Sequence, residues 1–353
     1  MSAVSADRKR LRDLGFRVGR FPTGERNALV DVPGVLVGHR TLEEEITGVT
    51  AVLPHGGNLY ADKAPAACHV VNGYGKAAGL SQLEELGTLE SPLLLTNTLA
   101  VGAAWEGGLS HVLDQNPGAA RDRDTVNVVV AECFDGWLGD ARSLPVRPEH
   151  ALEAIAAAGP DELAVGNVGA GTGTTAFGFK AGVGMCSRRS ESGYLLGCLV
   201  VPNFGAARDR HLLLGAEGAA AAGGPPDQGG SVVVVLATDA PLSERQLRRL
   251  GVRAGLGLGR AGSFATNGSG EYVFAFSTAH RIPHRADEPW LELRLLRDDS
   301  IAMRELFEMA AEATHEAVLD SLCTATGVEG RDGHRADALP YELLERAPRV
   351  ERL

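Results

Sequence analysis

A change of texture at one peptide bond constrains this chain more than any other feature. Residues 215–230 are dominated by Gly, Ala and Pro and end in GGPPDQGG, a composition that packs little and behaves as a flexible linker. At Ser231 the texture reverses. SVVVVLATDAPL opens an apolar run, Val232 to Ala237, of the β-branched kind expected of a strand covered on both faces. Any fold must therefore hold a small hydroxyl at the start of a core strand, behind two glycines, Gly229 and Gly230, that accept backbone geometries closed to other residues.

That placement suits one kind of chemistry. If the Ser231 hydroxyl attacks the Gly230 carbonyl, the chain breaks and Ser231 becomes a new N-terminus carrying nucleophile and base together. An α-amine titrates at about 7.7–8.0, so part of it is neutral near pH 7 and can take the proton of its own hydroxyl. No histidine is required. A loop that ends in serine before a strand is also ordinary turn chemistry, so the rest of the chain must decide.

With 353 residues, of which 44% are hydrophobic, the chain is globular and long enough for a large core, with a length prior of roughly two domains. Its net charge of −11 argues against nucleic acid as a partner, because phosphate binding needs clustered Lys and Arg. The five cysteines (Cys68, Cys133, Cys186, Cys198, Cys323) show no C-x-x-C and no Cys/His pairing at zinc spacing, so they read as reduced core residues, with no metal expected. No apolar segment follows the basic residues of the N-terminal stretch, and no run reaches the roughly 18 apolar residues of a membrane span. The expectation is a cytoplasmic protein with no membrane partner and no cofactor.

Taken in order, NALVDVPGVLVGH (Asn27 to His39) reads as a strand pair turned at Pro33-Gly34, followed by short strands at Gly48 to Leu53 and Cys68 to Val71. Gly79 to Gly87 predicts a short helix closed by glycine. The run Leu93 to Leu95 ends in Thr96-Asn97-Thr98, and the strand Val126 to Ala131 stops on Glu132. A carboxylate there suits either a ligand-binding charge or a plain strand end. The Gly-rich stretch Gly166 to Gly184 lacks the strand, helix and acid of a dinucleotide fingerprint and the Gly-Lys-Ser/Thr of a P-loop. Ser243 to Gln246 is a capping box opening a helix whose inner face is Leu247, Leu250 and Ala254. Residues 266–271 read as a polar turn feeding the strand Tyr272 to Phe276. Ile301 to Cys323 predicts a long helix with Leu306, Ala310, Ala313 and Ala317 inward and Glu305, Glu308, Glu312 and Glu316 facing water. Strands followed by helices in both halves suggest a layered α+β architecture.

Read together, NALVDVPGVLVGH, GVTAVLPHGGN, PLLLTNT, GNVGAGTG with FKAGVG, VPNFG, GGSVVVVLATDAPL and GSGEYVFAFSTAH resemble, in that order, the L-aminopeptidase/D-amidase and β-aminopeptidase family. The resemblance implies a self-cleaving serine aminopeptidase with a four-layer αββα sandwich, similar to the N-terminal-nucleophile hydrolases but connected differently. It implies cleavage between Gly230 and Ser231 into an α chain (1–230) and a β chain (231–353) that together form one intertwined domain. Ser231 would be the nucleophile, Ser269 and Glu271 its supporting pair, Asn203 an oxyanion donor and Glu132 the receptor of the substrate's amino group. Where some members carry a tyrosine between the positions of Glu132 and Asp140, this chain has Trp137, whose indole donates but neither accepts nor ionises, implying a shifted substrate preference. Short peptides or amino-acid amides and esters are the implied substrates, and a homo-oligomer of αβ units the implied assembly. Two alternatives stay open: an uncleaved, non-catalytic binding relative, and an acyltransferase of the same architecture. Acetyl-transferring enzymes of arginine biosynthesis share that architecture but use threonine where this chain has Ser231.

Overall fold

The computed structural model describes residues 8–121, 124–215 and 229–353, so most of the linker, residues 216–228, lies outside the described residues. In chain order, the long strands are β1 (Leu36–Leu42), β2 (Thr47–Leu53), β3 (Asp62–Gly73), β4 (Leu93–Asn97), β5 (Val129–Cys133), β6 (Gly184–Arg189), β7 (Leu195–Asn203), β8 (Gly230–Thr238) and β9 (Ser269–Ser277). The long helices are α1 (Val101–Gln115), α2 (Pro148–Ala156), α3 (Glu244–Arg260) and α4 (Ile301–Thr324).

The apolar run after Ser231 becomes the central strand, β8. It lies antiparallel to β7 and parallel to β9, within a sheet ordered β6-β7-β8-β9-β3, to which the short strands Thr88–Leu89 and Ile282–Pro283 add along β3. Side chains alternate across a strand, so β8 feeds two cores at once. Val232, Val234 and Leu236 pack with Leu247 and Leu250 of α3 and Leu306, Ala310, Ala313 and Ala317 of α4. Val233, Val235 and Ala237 face the other way, against Leu93 and Leu95 of β4 and Val129 and Ala131 of β5. The second sheet, ordered β1-β2-β4-β5, is covered outside by Ala104 and Val112 of α1 and Ala151, Ala154 and Ile155 of α2. The layers therefore run helix, sheet, sheet, helix: an α+β sandwich of four layers.

Several expectations hold at the level of single residues. The helix Leu80–Leu86 ends on Gly87 at φ 65°, and α3 opens with the reciprocal Ser243 and Gln246 capping bonds of 3.3 and 3.0 Å. All five cysteines are free, four of them buried.

Other expectations fail for identifiable reasons. The first half of Asn27 to His39 is no strand. Leu29–Asp31 is a 3-10 turn, because the Asp31 carboxylate accepts the N–H groups of Arg26 and Ala28 and closes the backbone on itself. Only the second half pairs, as β1 with β2. The supposed 266–271 turn ends earlier, since Ser269 already opens β9 beside Gly230. Likewise β5 runs through Glu132 and Cys133 instead of stopping before them.

The glutamates of α4 do not all face water. Glu305, Glu312 and Glu316 are buried, and Glu308 alone of the four lies at the surface. Arg188, fully buried, pairs with Glu316 at 2.7 Å and Glu312 at 3.5 Å, while Arg12 reaches Glu316 at 2.8 Å. Burial by itself pushes the Glu316 carboxyl up, but Arg188 and Arg12 outweigh it and hold the group at about 2.

Candidate active site

The site forms where β5, β7, β8 and β9 reach the same end of the sandwich. Antiparallel register sets Asn203, last residue of β7, opposite Ser231, and parallel register sets Gly270 on the other side. Gly229 enters the strand at φ 72°, and a Cβ there would lie 2.4 Å from the Gly268 carbonyl oxygen, so only glycine fits. Ser231 is 3% exposed. Its Oγ accepts the Phe134 N–H at 2.9 Å and lies 3.5 Å from the Asn203 amide nitrogen. Asn203 is oriented by its other end, where Oδ1 accepts the Thr175 N–H at 3.1 Å.

Glu132 arrives through the parallel pairing of β4 with β5, which aligns Thr96 with Glu132 and Asn97 with Cys133. Its carboxylate is buried, accepting the Lys76 N–H at 3.2 Å on one oxygen and the Thr98 hydroxyl at 2.5 Å on the other. Just past Phe134, Asp135 accepts the Thr47 hydroxyl, which in turn accepts the Asn97 amide at 2.9 Å. Burial raises the Asp135 carboxyl to about 7 and lowers the nearby Lys180 ammonium to about 7. Lys180 donates to the carbonyls of Gly171 (3.1 Å) and Ala181, bonds that close the Gly-rich stretch on itself.

Ser231, Asn203, Glu132 and Trp137 line one cavity of about 440 Å³, together with Tyr74, Phe134 and Arg331. The Trp137 ring stacks on His334 at 3.7 Å and 5°, and its buried indole nitrogen has no partner.

Ser269 and Glu271 border a second, smaller space of about 40 Å³ on the far side of the Gly229–Gly230 segment, which lines both. One Glu271 oxygen accepts Ser269 Oγ at 3.0 Å and Ser263 Oγ at 2.7 Å, while the other is buried without a partner. No hydrogen bond joins the Ser231 hydroxyl to Ser269 or Glu271. The approach is instead to Gly230, where an added Cβ would lie 3.1 Å from Ser269 Oγ. Gly229 and Gly230, with Phe204, Gly205 and Ala206, thus line both spaces.

Sequence reasoning missed the Phe134 N–H, Lys76, Thr98 and Ser263. Backbone donors carry no residue signature, and Ser263 is an ordinary loop serine. Thr96-Asn97-Thr98 was visible as a polar stop to an apolar run, and its partners came with the sheet register.

A buried serine hydroxyl, two donors converging on it and a carboxylate in the same cavity are the parts needed for acyl transfer from an amine-bearing substrate. Set at the start of the central strand of an αββα sandwich, they define a hydrolase of the N-terminal-nucleophile class. Comparison with known proteins specifies the family. The model of peptidase family S58 matches residues 27–336, and the chain belongs to that family. A beta-peptidyl aminopeptidase of Sphingosinicella microcystinivorans is 36% identical over 97% of this chain and 92% of its own. A Burkholderia beta-aminopeptidase structure superposes with a TM-score of 0.88 at 36% identity, covering 96% of this chain and 97% of that one. The L-aminopeptidase D-Ala-esterase/amidase of Ochrobactrum anthropi, described as a variant of the Ntn hydrolase fold, gives 0.86 at 32% identity over 95% and 96%. The αββα architecture expected from the sequence therefore holds.

Proposed function

We propose that the chain cleaves itself between Gly230 and Ser231, and that the resulting α chain (1–230) and β chain (231–353) act together as a serine aminopeptidase on short peptides, amino-acid amides or esters. The observation that carries this reading is the position of Ser231 Oγ. It sits in the wall of the cavity that holds Glu132, within reach of the Phe134 N–H and Asn203, and adjoins the bond to be broken.

In the first step Ser231 Oγ attacks the Gly230 carbonyl carbon. The C–N bond breaks as the C–O bond forms, and the amide nitrogen takes a proton to become the free amine. Water then hydrolyses the Gly230 ester, leaving a carboxylate on one chain and the serine hydroxyl on the other. Support for this comes from Glu271, whose unpartnered buried oxygen lies across Gly230. An isolated carboxylate oxygen in such a place is costly. The new ammonium of Ser231 supplies the missing donor, and Ser269 completes the pair. Since β8 and β9 sit between β7 and β3, the two chains stay interleaved in one sheet after cleavage.

In turnover, the α-amine accepts the Ser231 proton, Oγ attacks the substrate carbonyl, and Asn203 with the Phe134 N–H stabilises the oxyanion. Glu132 holds the substrate's ammonium, and Trp137 shapes the wall of the same cavity. Assembly of several αβ units in the cytoplasm belongs to the same reading. Among the described residues no helix is long and apolar enough to cross a membrane.

The test compares an aminoacyl anilide with its N-acetyl derivative. Hydrolysis of the free amine at least ~100-fold faster than the acetylated form is the expected result, from loss of the charge-assisted contact to Glu132 and the added bulk. Equal rates would remove the exopeptidase reading.

A further inference from the structure

The charged side chains lining the larger cavity are Glu132, Lys76 and Arg331. Arg331 comes from the distant C-terminal part of the chain, and its placement is built. The Gly330–His334 turn docks on Gly136–Leu138. The Arg331 N–H donates to the Leu138 carbonyl at 2.8 Å, its Nε donates to the Gly136 carbonyl at 3.1 Å, and His334 stacks on Trp137. Gly330 packs so closely that a Cβ would lie 2.1 Å from the Leu138 carbonyl oxygen, which leaves the turn no room for a side chain there. The guanidinium is thereby held at the cavity wall, and among the described residues its one salt bridge is to Asp332, its chain neighbour, at 2.6 Å. That pair is solvent-exposed on both sides and weak.

We propose that Arg331 reads the free carboxylate of a dipeptide, so that the cavity selects substrates with an ammonium at one end and a carboxylate at the other. The inference rests on the aminopeptidase reading above and names the substrate class for it. With the ammonium on Glu132 and the scissile carbonyl at Ser231, the leaving residue continues into the part of the cavity lined by Gly136, Trp137 and Arg331. A residue in extended form spans about 3.5 Å, and a pocket of this size suits a small molecule. Lys76 is the competing cation. Its ammonium stands 5.5 Å from the Tyr74 ring as a compact charge, whereas the planar guanidinium fork matches a carboxylate with two parallel hydrogen bonds.

The experiment measures kcat and KM for alanyl-leucine and for alanyl-leucine amide with the cleaved wild-type protein and with Arg331→Gln, Arg331→Lys and Asp332→Asn. The wild type is expected to favour the free acid. Arg331→Gln should reduce the acid-to-amide ratio of kcat/KM by about 10- to 100-fold, mostly through KM of the acid, and Arg331→Lys should restore part of it. Removal of the weak exposed pair in Asp332→Asn should raise the ratio by no more than about 3-fold, so Arg331→Lys, which keeps the charge without the fork, decides the matter by a lowered ratio if Arg331→Gln fails to fold. An unchanged ratio in Arg331→Gln, or in Arg331→Lys when it stands alone, overturns the proposal. So does a wild-type ratio near one, whereas hydrolysis of neither compound points to failure of the aminopeptidase reading itself.

Discussion

Replacing Asn203 by alanine separates transition-state stabilisation from binding. The Asn203 amide nitrogen lies 3.5 Å from Ser231 Oγ, at the outer limit of a hydrogen bond, so it stabilises the resting site little. Once the substrate carbonyl becomes tetrahedral, the developing charge approaches that donor beside Ser231. Loss of one such donor costs about 10²–10³ in kcat, or roughly 2.7–4 kcal/mol. The Phe134 N–H at 2.9 Å survives the substitution and carries part of the charge, which places the expected loss near the lower end, about 10²-fold, with KM changed less than about 3-fold. Asn203→Asp sharpens the comparison. It keeps an acceptor for the Thr175 N–H at 3.1 Å, so the local geometry persists, but it replaces the donor by a negative charge. Its loss should equal or exceed that of alanine. Steady-state kinetics on an aminoacyl anilide, using protein already shown to be fully cleaved, measures both. A kcat within about 3-fold of wild type for Asn203→Ala would refute the assignment.

Glu132→Gln should raise KM for free-amine substrates by about 10- to 100-fold while leaving chain cleavage intact, as followed by substrate kinetics and a denaturing gel. The pH profile of kcat/KM should climb through about pH 7–8 as the Ser231 amine loses its proton, and a flat profile between pH 6 and 9 would contradict the amine as base. Arg188→Met leaves the Glu312 and Glu316 carboxylates buried with too little countercharge, and should cost about 3–5 kcal/mol in denaturant unfolding. The Glu316 pKa of about 2 is depressed from 4.5. Its contribution is therefore fully present above the ordinary value and is lost as pH falls towards 2, so acid titration of unfolding should show the wild type losing its advantage over Glu316→Gln in that window.

Local chemistry was legible in the sequence, and long-range partnership was not. The unbroken apolar run after Ser231 marks a strand with two covered faces because burial has to be met residue by residue, and the Ser243–Gln246 box is complete within four positions. The α4 glutamates misled because helical periodicity sorts faces by polarity, and their partners Arg12 and Arg188 are supplied by segments far away in sequence. The Asn27 run misled because apolar content alone does not reveal that Asp31 will cap its own turn. In the site, Ser231, Asn203 and Glu132 converge through strand register, which motifs at strand ends foreshadow. Ser269 and Glu271 stand across Gly230 from the Ser231 hydroxyl, a separation that spacing along the chain does not convey. Arg331 belongs to a turn whose docking on Gly136–Leu138 depends on the assembled fold.

The central claim is that the bond between Gly230 and Ser231 breaks through the Ser231 hydroxyl. Intact-mass analysis of the purified protein beside its Ser231→Ala variant tests it directly. Two fragments, the smaller beginning at Ser231, from the wild type and a single 36.9 kDa chain from the variant are predicted. A wild-type protein that remains one chain, or a Ser231→Ala variant that still splits there, would contradict it.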